Sequence, residues 1–391
     1  MVFLAGMRPG ERSIDDLIAG RQVGCALPQA FYVRDDVFAR DLDLLLSGWT
    51  CVGHASQVAA PGDWITAGFG TESAIIVRGE DGVLRALANV CRHRGSRVCV
   101  EAHGAASLFT CPYHAWSYRL DGSLRAAREM PEGFDPAAHG LKPLPLAEIG
   151  GLLFVSFGDD PPSLGAAGPA LAAMCEHHGW TRAKVAARRS YAVAANWKLV
   201  LENYHECYHC GPAHPEFSVL HALARPKARR LHPEDDFEAW GPVSDGRAVA
   251  RVMGSELAEG ALTGSRDGSL IAPIMVPGAD GTCVFAELGY LSAFLAYADH
   301  GVVYRFIPRS VLETEMEVMW LVAKDAREGS DYDIEALTWL WDITSLADKR
   351  IIERNQAGVL SRFYEPGPFS LMEPGTSQLV DRYLADLAAA G

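Results

Sequence analysis

Two short segments of this chain pair soft and imidazole ligands in a way that points to metal chemistry. The first reads Cys91-Arg-His93 and, after a spacer at 94–110, Cys111-Pro-Tyr-His114. Each half offers one thiolate and one imidazole on a short loop between strand-like runs. That donor set suits an iron–sulfur centre in which two histidines replace two cysteines on one iron, which makes the cluster less negative and raises its potential. Two Cys and two His also satisfy tetrahedral zinc. Zinc fingers, however, place both cysteines first and both histidines on a helix, whereas here Cys and His alternate on two loops.

The second segment runs from Asn196 to His214 and contains Glu202, Asn203, Glu206, His209 and His214. Glu206 and His209 are three apart and would share a face of a helix over 196–210. Gly211-Pro212 should end that helix, letting His214 fold back beside His209. Two histidines and a carboxylate make the facial set of non-heme Fe(II) oxygenases, which leaves coordination positions open for O2. Asp348 is the candidate third ligand. Ile334, Trp341 and Asp348 recur at seven-residue spacing in a helix expected over 332–359. That puts Asp348 on an apolar face, where a metal would relieve the cost of a buried carboxylate. Asp342 is the runner-up. His205 and Cys210 read as structural.

Both segments resemble the Rieske non-heme iron oxygenases, the family that includes the alpha subunits of aromatic-ring-hydroxylating dioxygenases. Cys91-Arg-His-Arg-Gly95 and Cys111-Pro-Tyr-His-Ala-Trp-Ser-Tyr118 look like the family's Rieske [2Fe–2S] loops. Respiratory Rieske proteins carry an additional Cys in each loop, and here Ser96 and Tyr113 stand at those positions. The resemblance implies that Cys91, His93, Cys111 and His114 hold the cluster, and that His209, His214 and Asp348 hold a mononuclear Fe(II). It assigns Glu206, with Asn203 beside it, to the catalytic machinery: an acidic residue at this position bridges a Rieske histidine of a neighbouring subunit to a histidine at the iron. Glu in place of the commoner Asp, together with Glu-Cys-Tyr-His-Cys-Gly-Pro-Ala-His-Pro at 206–215 and Asn-Gln-Ala-Gly-Val at 355–359, is similar to the quaternary ammonium branch of glycine betaine, stachydrine and carnitine oxygenases. The implied reaction is N-methyl hydroxylation followed by formaldehyde release. Aromatic-ring hydroxylation is the alternative. A quaternary ammonium needs an aromatic cage, because it cannot donate hydrogen bonds. Phe285, Tyr290, Phe294, Tyr297 and Trp341 are the candidates.

Elements to position these groups are visible in the patterning. Asp35–Trp49 has helical spacing with Asp35 as a cap. Short β-branched runs at 73–78, 83–90, 107–110, 115–120 and 152–157 follow, with Asp81-Gly82 and Asp121-Gly122 as hairpin signals. We expect an N-terminal helical segment over 1–46 packed on the catalytic domain, an all-β Rieske domain over 47–158 and a catalytic domain over 159–391. The last would hold helices at 169–179, 196–210 and 332–359 and strands at 186–194, 282–288, 293–297, 301–307 and 315–323. This is an α+β fold with a helix-grip-like arrangement of antiparallel sheet and helices.

The bulk properties set limits. A net charge of −14 disfavours nucleic-acid binding, and no apolar run approaches the length of a membrane span. The N-terminus is not a convincing signal peptide, so a cytoplasmic protein is expected, with its nine cysteines as thiols or metal ligands and not a disulfide framework. Cys25, Cys51, Cys99, Cys175 and Cys283 read as buried thiols. No dinucleotide-binding fingerprint stands between a strand and a helix. Electrons from NAD(P)H therefore have to arrive through a separate flavin and iron–sulfur reductase. The other partners expected are O2 and a small-molecule substrate, and the resemblance implies a homotrimer.

Overall fold

The computed structural model describes residues 12–221, 240–245, 248–276, 278 and 280–389. Its architecture is α+β, with antiparallel sheets in both halves. After three N-terminal helices, Ile14–Ala19, Ala30–Val33 and Asp35–Ser47, the stretch 50–155 is built of β-strands with two short 3-10 turns. A five-stranded sheet runs in the order His103–Ala105, Asp63–Phe69, Glu72–Arg78, Leu84–Ala88, Pro143–Leu144. Two three-stranded sheets accompany it, one of Thr50–His54, Leu152–Val155 and Leu146–Ile149, the other of Phe109–Thr110, Ser117–Tyr118 and Leu124–Ala126. Both expected hairpins form. Gly82 and Gly122 adopt φ of +76° and +88°, a region open to glycine at little cost. Asp81 and Asp121 each accept the backbone N–H two residues on, from Val83 and Ser123.

The second half is built on a seven-stranded antiparallel sheet. Its order is Ala183–Val193, Glu313–Ala323, Gly301–Ser310, Ser292–Ala296, Thr282–Leu288, Ala248–Glu256, Trp240–Asp245. The last two strands left no clear mark in the sequence pattern. Strand alternation splits the sheet into two faces. Val302, Tyr304 and Phe306 point into the main core with Leu337, Leu340 and Trp341 of the long helix Ile334–Val359. Val303, Phe294 and Ala296 point the other way, onto Trp180 and the helix Ala167–His177. The main core also takes in Leu17, Phe31, Tyr32, Val37 and Leu44 from the N-terminal helices and Leu384 and Leu387 from the terminal helix Pro374–Ala389.

Several local expectations need correction. The N-terminal helix covers Asp35–Ser47, so Asp35 is its first residue and not its cap. Ser47 and Trp49 therefore lie at and beyond its end. Arg34 precedes it without a side-chain cap. The helix expected over 196–210 stops at Tyr204. Gly211-Pro212 does not end it but lies inside a separate turn of helix, Cys210–Ala213, where the missing proline N–H would be unpaired in any case. Cys25 is only half-buried, and Cys207 and Cys210 are joined as a disulfide with a Cα–Cα distance of 4.8 Å. The Cys-x-x-Cys turn itself brings the two close enough to bridge.

One buried ionic knot ties three elements around the motif helix Trp197–Tyr204. Lys198 Nζ pairs with Asp41 of the N-terminal helix and donates to Phe31 O at 2.9 Å. Asp41 also accepts Trp197 Nε1–H at 3.1 Å and the Tyr383 hydroxyl of the terminal helix at 2.6 Å. Burial pulls the Lys198 pKa down, and the Asp41 carboxylate opposes that. Removing one partner of such a pair strands the other charge in the core. We expect Asp41→Ala to cost about 3–5 kcal/mol, read as a marked fall in melting temperature. Adding Lys198→Met should recover much of the loss. A double variant no more stable than Asp41→Ala would show that the stranded charge is not the cause.

Candidate metal centres

The two Rieske-type loops are built alike. In the first, Gly95 N–H donates to Cys91 O at 3.0 Å and Cys91 N–H to Ser96 O at 2.8 Å. In the second, Ala115 N–H donates to Cys111 O at 3.0 Å and Cys111 N–H to Trp116 O at 2.8 Å. Both loops reverse through a left-handed residue, Gly95 at φ +77° and Ala115 at φ +60°. A side chain in that region is uncommon, so Ala115 marks an unusually constrained turn at the same place in the second loop as Gly95 in the first.

The loops bring the four expected residues together with a clear polarity. Cys91 and Cys111 are buried, at 3% and 2% exposure. His93 and His114 sit on the exposed edge, with their Nδ1 atoms 3.1 Å apart. Tyr118 hydroxyl lies 3.2 Å from Cys91 Sγ and accepts Arg92 N–H at 3.0 Å. The Cys111 thiol is acidified: burial works against this, and is outweighed by the backbone N–H groups of Tyr113 and His114 and by hydrogen bonds from Cys91 and Ser96. Trp116 stacks on His93 with ring centroids 4.9 Å apart. Two sheltered sulfurs and two outward nitrogens match the donor chemistry of a [2Fe–2S] cluster with one Cys-held and one His-held iron.

The second constellation gathers residues from distant parts of the chain. His209 Nε2 and His214 Nε2 each lie 3.2 Å from the same oxygen, Asp348 Oδ1. His209 sits in the turn before Cys210–Ala213, His214 leads into the helix Pro215–Leu220, and Asp348 comes from the long helix. Glu206 Oε1 is 2.5 Å from His209 Nδ1, which orients the ring with Nε2 facing Asp348. Burial would lower the His209 pKa, but the hydrogen bonds to Asp348 and Glu206 prevail and push it up to about 9. Asp348 is held below the usual carboxylate range. Its burial opposes that, and the two imidazoles outweigh it. Three donors of the right types, converging from three elements, fit the two-histidine, one-carboxylate set.

Glu206 and His209 meet, but not on a shared helix. Glu206 lies in the break after Tyr204, where its Oε2 accepts the N–H groups of Tyr208 and of His209, the latter at 3.2 Å. Asn203 Nδ2 lies 3.4 and 3.3 Å from the two ring nitrogens of His209. Asp342 is engaged elsewhere, with Arg189 at 2.7 Å and the Tyr191 hydroxyl at 2.5 Å. His205 is fixed by Glu287 and Leu201 O, both at 2.7 Å.

The aromatic candidates divide. Phe285, Tyr297 and Trp341 fall in one cluster around His221, with ring centroids 6.0, 6.1 and 6.2 Å from it. That cluster reaches the metal set through Phe217, whose ring is 5.3 Å from His214 and 4.1 Å from His221. Tyr290 is placed elsewhere. Its ring is covered by Arg382 at 4.0 Å and its hydroxyl is bound to Asp386. Phe294 packs against Phe154 and Trp180 on the opposite sheet face. Sequence reasoning missed Phe217 and His221. They recur at three and seven residues from His214 on a helix opened by Pro215, a proline-at-first-position signal. His221 is fully engaged: Nδ1–H donates to Phe217 O at 3.1 Å, and Nε2 accepts the Tyr297 hydroxyl at 2.9 Å. Burial pushes its pKa down to about 4, so the wall it completes carries no positive charge at neutral pH.

Two family models match the chain, one over each candidate centre. Residues 48–145 match the Rieske [2Fe-2S] domain, and residues 180–389 match the ring hydroxylating alpha subunit (catalytic domain). The chain is 36% identical to the glycine betaine monooxygenase oxygenase subunit of Chromohalobacter salexigens, over 94% of this chain and 87% of that protein. It is 40% identical to the carnitine monooxygenase oxygenase subunit of Escherichia coli K12, over 52% of this chain and 56% of that one. A solved quaternary ammonium Rieske monooxygenase, studied for carnitine oxidation and inter-subunit electron transfer, is similar with a TM-score of 0.75. Its identity is 26%, with coverage of 97% of this chain and 98% of that one.

The Tyr118 hydroxyl offers a direct check on the first centre. Hydrogen bonds to the ligating sulfur stabilise the reduced cluster. Tyr118→Phe should therefore lower the reduction potential while keeping the visible bands, as read by protein-film voltammetry. An unchanged potential would show that this hydroxyl does not act on the sulfur.

Proposed function

This chain belongs to the Rieske non-heme iron oxygenases with a ring-hydroxylating alpha-subunit catalytic domain, and from that premise we propose that it hydroxylates an N-methyl group of a betaine-type quaternary ammonium compound. The observation that carries the proposal is the meeting of His209, His214 and Asp348 beside an uncharged aromatic wall. In this reading Cys91, Cys111, His93 and His114 hold the cluster, and His209, His214 and Asp348 hold the iron. When bound, the cluster supplies single electrons and the iron supplies the place where O2 is reduced. The reaction takes an N-methyl quaternary ammonium, O2, two electrons and two protons to the N-hydroxymethyl ammonium and water. That hemiaminal then splits to formaldehyde, a tertiary amine and a proton. Relatives are named oxygenase subunits, which fits electrons arriving from a separate reductase.

The chain's own groups have distinct tasks. Glu206 accepts the His209 Nδ1–H and fixes the ring, and Asn203 closes on the same ring. His93 and His114 lie at the exposed edge of their domain, and Glu206, its own side chain 11% exposed, lies two residues from Tyr208, which is 56% exposed. That placement supports Glu206 as the carboxylate linking His209 to a Rieske histidine of a neighbouring subunit, with a homotrimer as the assembly. Phe217, Trp341 and neutral His221 form a wall that attracts a quaternary cation through ring quadrupoles. The wall adds no charged group to repel that cation. Among the described residues no helix is long and apolar enough to cross a membrane, and a cytoplasmic setting suits a soluble substrate and reductase.

A formaldehyde-release assay over betaines, carnitine, choline and simple aromatic acids, with a surrogate reductase, tests the substrate class. The expected result is formaldehyde from a betaine with O2 and electrons, and none from the aromatic acids. Hydroxylated aromatic product with no formaldehyde would overturn it. His209→Ala should abolish turnover and keep the cluster colour. Retained turnover would refute the iron site. Glu206→Gln should keep both metals and lose most of the turnover, since it leaves the imidazole without its anionic partner.

A further inference from the structure

Behind His214 lie polar atoms that none of the contacts above uses. His214 presents Nε2 to Asp348, and its Nδ1 is buried with no hydrogen-bond partner. The Ser218 hydroxyl, one helical turn further along, is also buried and unpartnered. So is the Thr344 hydroxyl, one turn before Asp348 on the long helix. All three residues are 3% exposed. Two contacts fix how their helices face each other: His214 meets Asp348 at 3.2 Å, and the Phe217 and Trp341 rings lie 5.4 Å apart. Moving forward along one helix therefore runs backward along the other. Ser218 continues the His214 face at i+4, and Thr344 sits at i−4 from Asp348 on the facing helix.

Helical Ser and Thr hydroxyls ordinarily satisfy themselves on the carbonyl four residues back. Thr338 does so with Ile334 O at 2.8 Å. Ser218 and Thr344 do not, so two hydroxyl groups and one ring nitrogen are left buried without partners at neighbouring positions of the two facing helices. Leaving several such atoms without partners in a core is costly, and a small polar strip with three partners is what an ordered internal water requires.

We propose that Ser218 and Thr344 together hold one buried water that accepts the Nδ1–H of His214, making them positioning residues for that histidine. The proposal rests on His214 being an iron ligand. It gives the two histidines different supports. His209 is held directly by the Glu206 carboxylate, and His214 by two hydroxyl groups through the water. The neutral support fixes the tautomer and aim of His214 without adding a second negative charge beside Asp348.

The test measures Fe(II) retention by the full-length protein under anaerobic conditions, in competition with a ferrous chelator, with the cluster's visible bands as the internal check on folding. Ser218→Ala and Thr344→Val should each weaken retention about tenfold, and Ser218→Thr should stay within about threefold of the parent. Because one water serves both hydroxyls, the double variant should lose little more than either single one. Retention within about twofold of the parent in both single variants and the double overturns the proposal. So do fully multiplicative losses, which would mean two independent roles. Loss in Ser218→Thr equal to that in Ser218→Ala, with the bands intact, also overturns it, since it assigns the position to packing. If Ser218→Ala loses the bands, Thr344→Val decides alone. Parent protein with no iron beyond the cluster, or a His214→Ala variant that keeps that iron, fails the ligand assignment itself and so is distinguished from failure of the water.

Discussion

Asp348 is a carboxylate drawn onto the apolar face of a long core helix, and that placement dictates much of the second domain. An isolated carboxylate there would be strongly disfavoured. It is tolerated because two imidazole nitrogens meet one of its oxygens at 3.2 Å each. Those imidazoles come from a segment more than a hundred residues earlier, so the helix and the His209–His214 segment must be clamped together. The sheet does this from one side, with Val302, Tyr304 and Phe306 packed under Trp341. Tyr304 adds a hydrogen bond to Ser345 at 2.7 Å, one turn from Asp348. From the other side the Lys198–Asp41 pair anchors the motif helix to both chain ends. Packing and hydrogen bonding therefore bring the three side chains together, the kind of preorganisation a metal centre requires.

How much of this is legible in the sequence depends on whether the signal is local. Cys91, His93, Cys111 and His114 are legible as a candidate set because each loop is a few residues long and its Cys and His stand two or three positions apart. The loop geometry that makes the halves equivalent is less visible. Gly95 advertises a left-handed turn, but Ala115 at the matching place does not. Asp348 could be found because a seven-residue spacing reports one helix face. Cage residues could not be chosen that way. Phe285 and Phe294 both lie in strands of the same sheet, yet pairing puts Phe294 opposite Ala286 and Phe285 opposite Leu295. They therefore fall on opposite faces, and one is turned toward Trp180 on the far side. Only register separates them.

The two centres also show opposite polarity. The first domain hides its sulfurs and exposes its imidazoles, so whatever leaves the cluster leaves by the histidine edge. The second domain shelters its imidazoles: His214 is 3% exposed, and the His209 side chain and the Glu206 carboxylate against it are 16% and 11% exposed. Imidazoles thus stand at the surface in one domain and under cover in the other.

The break after Tyr204 is what makes the contact of Glu206 with His209 possible in this form. Had the helix continued to position 210, the N–H groups of Tyr208 and His209 would have been consumed by carbonyls four residues back, including that of Tyr204. Glu206 could still have touched His209 at i+3, but as a flexible surface pair. With the helix stopped, those two N–H groups turn onto Glu206 Oε2 while Oε1 takes the ring. One carboxylate is thereby held at three points within four residues. Its orientation is set by backbone, which a substitution cannot remove, and only its charge and reach depend on the side chain. A longer Glu in place of Asp is tolerable here for that reason: the extra methylene would cost precision on a free side chain, and the backbone donors restore it.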